Sequence, residues 1–252
     1  MAFAMLEYGI VNHAGFTVIT GEVGAGKTTL IQHLLSKLPG DVAVGLLANT
    51  GGGGDLLEWV LMAFDQDFES GSHVALYKRF KDFLLEQHSL GRRTVLIVDE
   101  AQNLGAETLE ELRMLSNLNT HERELLQIVL SGQPELKTLL AAPSLRQFVQ
   151  RVSSDFHLSF LDQQEVKGYI EHRLEVAGAT RPLFTSGACD LVFYATQGTP
   201  RLINTLCDTA LLYGFATESD EITVEIVKRV LDDKRRFGVF PIHPGPQYDY
   251  SK

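Results

Sequence analysis

The segment Gly21-Glu22-Val23-Gly24-Ala25-Gly26-Lys27-Thr28 constrains this chain more than any other. It fits the pattern G-x-x-x-x-G-K-[ST]. A short β-type run, Gly15–Thr20, precedes it, and a helical pattern over Thr28–Leu38 follows, ended by Pro39–Gly40. A strand running into a glycine loop and then a helix can wrap backbone N–H groups around an anion, because glycine admits backbone angles that a Cβ forbids. The helix adds the positive end of its dipole. In such a loop Lys27 reaches the outer phosphates of a nucleotide and Thr28 offers its hydroxyl to Mg²⁺. Gly21 through Gly26, with Glu22, Val23, Gly24, Ala25 and Thr29, complete the cradle.

A second element agrees with the first. Val95-Leu96-Ile97-Val98 is a compact apolar run that ends in Asp99-Glu100. Two carboxylates at the tip of a buried strand are costly unless they serve a purpose. Asp99 is suited to hold the water shell of Mg²⁺, and Glu100 to orient and deprotonate an attacking water. A third run, Leu126–Leu130, ends in Ser131-Gly132-Gln133-Pro134. Ser131 or Gln133 contacts the phosphate end or the lytic water there, unless the stretch is a plain strand-to-helix turn with a proline-started helix.

Apolar runs alternate with helical patterns through the first 160 residues, with Asp55–Phe64, His73–Gln87 and Glu107–Asn117 as the helices and Asp155–Phe160 as a last strand. Along Glu107–Asn117, Leu109, Leu112 and Leu115 recur at helical spacing. Such alternation predicts an α/β fold with a parallel sheet covered by helices on both faces. Beyond Phe160 the strands stop, and Gln163–Val176, Ser186–Thr196, Arg201–Tyr213 and Thr223–Arg236 all read as helix. The expected organisation is an α/β domain over 1–158, a small all-α domain over 159–236 and a loose tail over 237–252.

Composition narrows the classes of partner. A net charge of −10 repels phosphate backbones and counts against a general nucleic-acid binder. The basic cluster Lys228, Arg229, Lys234, Arg235 and Arg236 is interrupted by Asp232 and Asp233 and reads first as a solvated helix face and second as a partner or nucleic-acid patch. Cys189 and Cys207, the two cysteines, fall on helical patterns and read as small buried hydrophobes of a reducing compartment. The stretch before Ile10 has no secretory pattern, the Gly51–Gly54 run interrupts the most apolar region, and no window is long and apolar enough for a membrane span. A cytoplasmic location is therefore expected.

With these residues in view, the chain resembles the AAA+ ATPases of the general secretion pathway protein A (ExeA) type and their relatives at exosortase and exopolysaccharide loci. The resemblance runs from about Phe3 to Val230. It rests on TGEVGAGKTTL at 20–30, VLIVDEAQNL at 95–104, LEELRMLSNLNT at 109–120, LQIVLSGQPEL at 126–136, LRQFVQRV at 145–152, YIEHRLEVAG at 169–178 and GTPRLINTLCDTALL at 198–212. It implies that Lys27 and Thr28 form the Walker A pair and Asp99 and Glu100 the Walker B pair. Ser131 to Gln133 would cover the first sensor, and Arg201 would be the second sensor on a helical lid. Arg151, or in second place Arg146, would be an arginine finger acting on a neighbouring subunit. From residues alone both arginines also read as structural or surface groups, and Thr199-Pro200 as a helix cap with a first-turn proline.

Members usually carry a T-P-D-P-F-like stretch upstream of the position of Phe3, and secretion members continue into a membrane span and a cell-wall-binding region. The chain is expected to lack both. The resemblance implies ATP and Mg²⁺ as cofactors, an ATP-dependent homo-oligomer and a protein partner in a secretion or envelope system. Two other roles remain open: a DNA-transaction ATPase like the transposition helpers, and a nucleotide-gated interaction switch with little turnover.

Overall fold

The computed structural model describes residues 15–37, 41–48, 55–68, 71–119 and 124–238. The expected Pro39–Gly40 helix stop, the Gly51–Gly54 run, the segment through Ile10, the start of the resemblance at Phe3 and the tail beyond Gly238 lie outside those residues. Two compact units are distinguishable, one ending at Leu158 and the other beginning at Ser159, with Gly24–Gly26 grouped with the second.

In the first unit the strands β1 (Phe16–Gly21), β2 (Val42–Ala48), β3 (Arg93–Asp99), β4 (Gln127–Gly132) and β5 (Val152–Leu158) form one sheet in the order β2-β3-β4-β1-β5. All four pairings are parallel. The register sets Val98 beside Leu130 and Leu130 beside Val18, so β1, β3 and β4 end at one edge. The helices are α1 (Lys27–Lys37), α2 (Leu56–Ala63), α3 (His73–Ser89), α4 (Gly105–Leu115), α5 (Pro134–Leu140) and the short α6 (Arg146–Val149).

Side-chain alternation along the strands builds a core on each face. Phe16, Val18, Leu96, Val98, Ile128 and Leu130 join a large cluster with Leu57, Leu61, Phe80, Leu84, Leu109, Leu112 and Phe148 from the helices. Ile19, Val95, Ile97 and Val129 point the other way and pack with Ile31 and Leu34 of α1. Each fully buried aliphatic side chain contributes roughly 1.5–3 kcal/mol, so β3, whose Val95 to Val98 are all 0% exposed, anchors the sheet. The fold is the α/β, P-loop type with helices on both faces, as the alternation predicts.

Strand β5 departs most from the sequence expectation, running Val152–Leu158 rather than Asp155–Phe160. It is an edge strand paired to β1 alone, and its residues alternate between half-buried and exposed. Without an apolar run, its limits come from its partner: Thr20 lies opposite His157, and Thr20 Oγ1 hydrogen-bonds His157 Nδ1 at 3.0 Å. The helix expected over Glu107–Asn117 runs Gly105–Leu115 and tightens into a 3₁₀ turn at Ser116–Leu118, with Leu109, Leu112 and Leu115 all buried.

The second unit is all-α: α7 (Gln163–Val176), α8 (Ser186–Thr196), α9 (Pro200–Ala216) and α10 (Val224–Phe237). Asp162 opens α7 with a capping box, its side chain accepting from Glu165 N–H while the Glu165 carboxylate accepts from Asp162 N–H. Val166, Ile170, Val192, Ile203, Leu206, Val227 and Val230 form its own core. Cys189 and Cys207 are free and buried in it, and burial pushes the Cys189 thiol up to about 11 and the Cys207 thiol further still.

Candidate functional site

The glycine loop between β1 and α1 has the backbone its sequence demands. Gly24 (φ +80°) and Gly26 (φ +99°) are left-handed, a region open to glycine at little cost. Lys27 is the first residue of α1 and is only 6% exposed. Its ammonium donates to Gly21 O at 2.7 Å and to Glu22 O at 3.1 Å. An ammonium has three N–H donors, and among the described residues these carbonyls are the partners it takes. Both are neutral, and the charge of this cation, at the edge where β1 ends, also acts on the Glu100 carboxylate. No acidic residue lies in the first turn of α1.

Two strands away, β3 delivers Asp99 to the same edge. Thr28 Oγ1 donates to Asp99 Oδ2 at 3.1 Å, and Ser131 Oγ, fully buried at the end of β4, donates to Asp99 Oδ1 at 2.8 Å. The Glu100 N–H also donates to Oδ1, at 3.0 Å. The carboxylate is thus fixed between the loop and β4. The Thr28 hydroxyl and the Asp99 carboxylate are oxygen donors of the kind that would suit Mg²⁺.

Glu100 follows in a left-handed conformation, φ +53°, uncommon for a residue with a Cβ and common at functional sites. Its Oε2 accepts from Gln102 Nε2 at 2.6 Å and from Gln133 Nε2 at 3.0 Å, while Gln102 Oε1 accepts from Gln133 N–H at 3.0 Å. The bonds from Gln133 and Gln102 hold the Glu100 carboxyl below its ordinary range against partial burial, and the charge of Lys27 adds to that. Gln102 is a member of this cluster that sequence reasoning did not single out. The signal was present in VDEAQNL, but nothing in a linear pattern says that the second residue after Glu100 turns back toward β4.

The structure therefore brings Lys27, Thr28, Asp99, Glu100, Ser131 and Gln133 to one sheet edge, and the arginines differ. Arg151, half-buried before β5, donates to Ser116 Oγ at 2.6 Å and also bonds Asn117 Oδ1, which commits its guanidinium within the first unit. Arg146 is exposed at the start of α6. Arg201 is exposed in the first turn of α9, after Pro200, and Thr199 occupies the cap position without a side-chain cap bond. The basic cluster of α10 carries its own acids: Arg235 pairs Asp232 at 3.8 Å, and Tyr213 Oη donates to Asp233 at 2.6 Å. Among the described residues no helix is long and apolar enough to cross a membrane.

A glycine loop that buries a lysine, a hydroxyl against a strand-end aspartate and a following glutamate together define a P-loop nucleoside-triphosphatase type of site. The chain belongs to the AAA domain family, whose model matches residues 11–140. It is similar to General secretion pathway protein A of Aeromonas hydrophila, 42% identical over 223 residues, which cover 88% of this chain and 41% of that protein. It thus spans about two fifths of the length of that relative. Among solved structures, the Aeropyrum pernix ORC2 protein in its ADPNP-ADP complexes has a similar fold, with a TM-score of 0.71 at 16% identity, over 92% of this chain and 66% of that one. The Walker-type ATPase PABY2304 of Pyrococcus abyssi gives 0.61 at 15% identity, over 93% and 71% of the two chains. The Holliday junction branch migration motor RuvB of Thermotoga maritima gives 0.53 at 17%, over 92% and 66%. At these identities the likeness is one of fold.

Proposed function

We propose that this chain binds ATP with Mg²⁺ at the edge where β1, β3 and β4 end, and hydrolyses it to ADP and phosphate. The observation that carries the reading is the contact of Thr28 Oγ1 with Asp99 Oδ2 at 3.1 Å, which joins the glycine loop to the tip of β3 beside Glu100. The N–H groups of Gly21 to Thr29 cradle the phosphates, and the buried Lys27 ammonium exchanges carbonyl partners for phosphate oxygens. Thr28 and Asp99 hold the metal, whose charge when bound polarises those oxygens. Glu100 orients a water and takes its proton, as a carboxylate ionised at neutral pH can. Ser131 fixes Asp99, and Gln133 fixes Glu100. Arg201 is assigned the second sensing role on the family resemblance.

Turnover serves conformational change or assembly of a partner complex on the cytoplasmic side, and the likeness to General secretion pathway protein A points to a secretion or envelope system. An ATP-dependent homo-oligomer with an arginine supplied from a neighbour belongs to the same reading, since such an arginine adds about 10³–10⁵ in rate where it occurs. Arg151 must release Ser116 and Asn117 to play that part, whereas Arg146 is already exposed. Mixing inactive Glu100→Gln with either Arg151→Ala or Arg146→Ala distinguishes them, because activity returns only when the finger and the base come from different subunits.

Titration with a fluorescent ATP analogue, with and without Mg²⁺, followed by phosphate release, tests the core of the proposal. Metal-dependent binding and turnover are expected. Equal affinity with and without metal, or binding without any turnover, would replace hydrolysis with a switch role.

A further inference from the structure

We infer that Gln102 is a positioning residue: its side-chain amide ties the Glu100 carboxylate to the turn between β4 and α5 and leaves Oε1 as the oxygen that meets the attacking water. This deepens the reading above and rests on Glu100 being the base.

Three hydrogen bonds close a ring across two strand ends. Gln102 Nε2 reaches Glu100 Oε2 at 2.6 Å, Gln102 Oε1 takes the Gln133 N–H at 3.0 Å, and Gln133 Nε2 returns to the same Oε2 at 3.0 Å. The polarity is dictated by chemistry. A carboxylate accepts and a backbone N–H donates, so the group between them must present a donor on one side and an acceptor on the other. A primary amide does both within three atoms. Glutamate there would set two anions face to face, and methionine would supply neither bond.

The backbone is shaped for this contact. The left-handed Glu100 turns the chain into the 3₁₀ segment Ala101–Asn103, which carries Gln102 back toward β4. There β4 ends in Gly132, where a Cβ would lie 2.7 Å from Gln102 Oε1 and 2.9 Å from Leu136 Cδ2. A side chain at 132 would displace the amide. Gln133 is the cap residue of α5, followed by Pro134, so its N–H has no place in that helix and is available to Gln102. With both amides on Oε2, the base has one oxygen anchored and one left for water. A shift of the turn after β4 moves the base with it.

The test uses the whole chain. Steady-state ATP hydrolysis is measured for wild type, Gln102→Met, Glu100→Gln and the double variant. Gln102→Met should lower kcat by about 10–10²-fold, the effect of misplacing a reacting group by about an ångström, with KM unchanged. On the Glu100→Gln background it should cost nothing further, because both changes act through one carboxylate. A kcat equal to wild type, a KM that rises with the loss of kcat, or a double variant showing the product of both losses would overturn the inference. Full turnover by Glu100→Gln would instead sink the assignment of the base. The tether has its own readout: Glu100→Ala should shift the ¹⁵N side-chain amide signals of both Gln102 and Gln133, and unmoved signals would overturn it whatever the turnover.

Discussion

The two units treat buried polar groups differently. In the α/β unit one cluster of them sits at the sheet edge where β1, β3 and β4 end: Ser131 is buried and Asp99, Glu100 and Gln133 half-buried, each bonded to a residue distant in the chain, while the buried Lys27 bonds Gly21 and Glu22 of its own loop. In the helical unit no charged side chain is buried among the described residues, and the half-buried Tyr169 Oη donates to Asn204 Oδ1 at 3.1 Å between two helices. Thr196 Oγ1 returns to Val192 O one turn back, and both cysteines sit among aliphatic side chains. Desolvating a polar group costs free energy unless its bonds are replaced. A local replacement needs nothing beyond the helix itself, whereas a long-range cluster requires several elements to hold it, and it leaves charge at a place where a ligand can use it. The contrast is between a unit that holds charged groups at one sheet edge and a unit built mainly by apolar packing.

That contrast breaks most sharply at Lys27. Lys27→Ala removes the cation of the cluster while leaving Gly24 and Gly26 in place, and nucleotide binding should fall below detection by calorimetry. Affinity equal to wild type would show that the loop is not the phosphate site. Glu100→Gln should keep binding and lower turnover by about 10²–10⁴-fold, the usual worth of a general base. Asp99→Asn should instead weaken the Mg²⁺-dependent part of binding. Full turnover in Glu100→Gln would hand the proton to another carboxylate, with Glu22 the next to test.

The helical unit sharpens the comparison from the other side. Leu206, 3% exposed in its core, should on replacement by alanine cost about 2–5 kcal/mol of stability in urea unfolding through the cavity it leaves. A loss below 1 kcal/mol would mean that the core collapses around the gap and is less tightly packed than its burial indicates.

The smallest effect lies within the α/β unit but away from the cluster at the sheet edge. His73 Nδ1 and Asp55 Oδ2 are 2.7 Å apart, and Asp55 Oδ1 also caps α2 at Leu57 N–H. The hydrogen bond to Asp55 raises the His73 pKa from its ordinary 6.5. Burial pushes the Asp55 carboxyl up, but the bonds from His73 and Leu57 outweigh it and leave it below 3.8. The contribution of His73 is therefore complete below pH 6.5 and is lost as pH rises through its raised value. That of Asp55 is complete above pH 3.8 and is lost as pH falls through its lowered value. Both groups are partly exposed, so the pair is worth at most about 0.5 kcal/mol. Asp55→Asn keeps a capping oxygen and should flatten the stability profile between pH 6 and 8, measured by thermal melts; an unchanged slope would place that titration elsewhere.

What the amino-acid sequence determined alone is what short-range chemistry dictates. The Gly21–Thr28 pattern needs nothing beyond neighbouring residues to become a strand, a left-handed glycine loop and a helix start. The apolar run Val95–Val98 has to be a buried strand, and Asp99-Glu100 has to sit at its tip. The switch from alternating strands and helices to helices alone was equally legible, because periodicity is local. What tertiary structure decided is everything that passes between strands. The register of β3 against β4 puts Ser131 beside Asp99, and α1 brings Thr28 to the same carboxylate. The limits of β5 follow from pairing with β1, since a polar edge strand has no pattern of its own. The engagement of Arg151 by Ser116 and Asn117 could not be read from LRQFVQRV. Gln102 is the clearest case: its two bonds depend on a left-handed Glu100, on the bare Cα of Gly132 and on an N–H freed at the start of α5, three conditions set by different parts of the chain and joined only when the sheet is assembled.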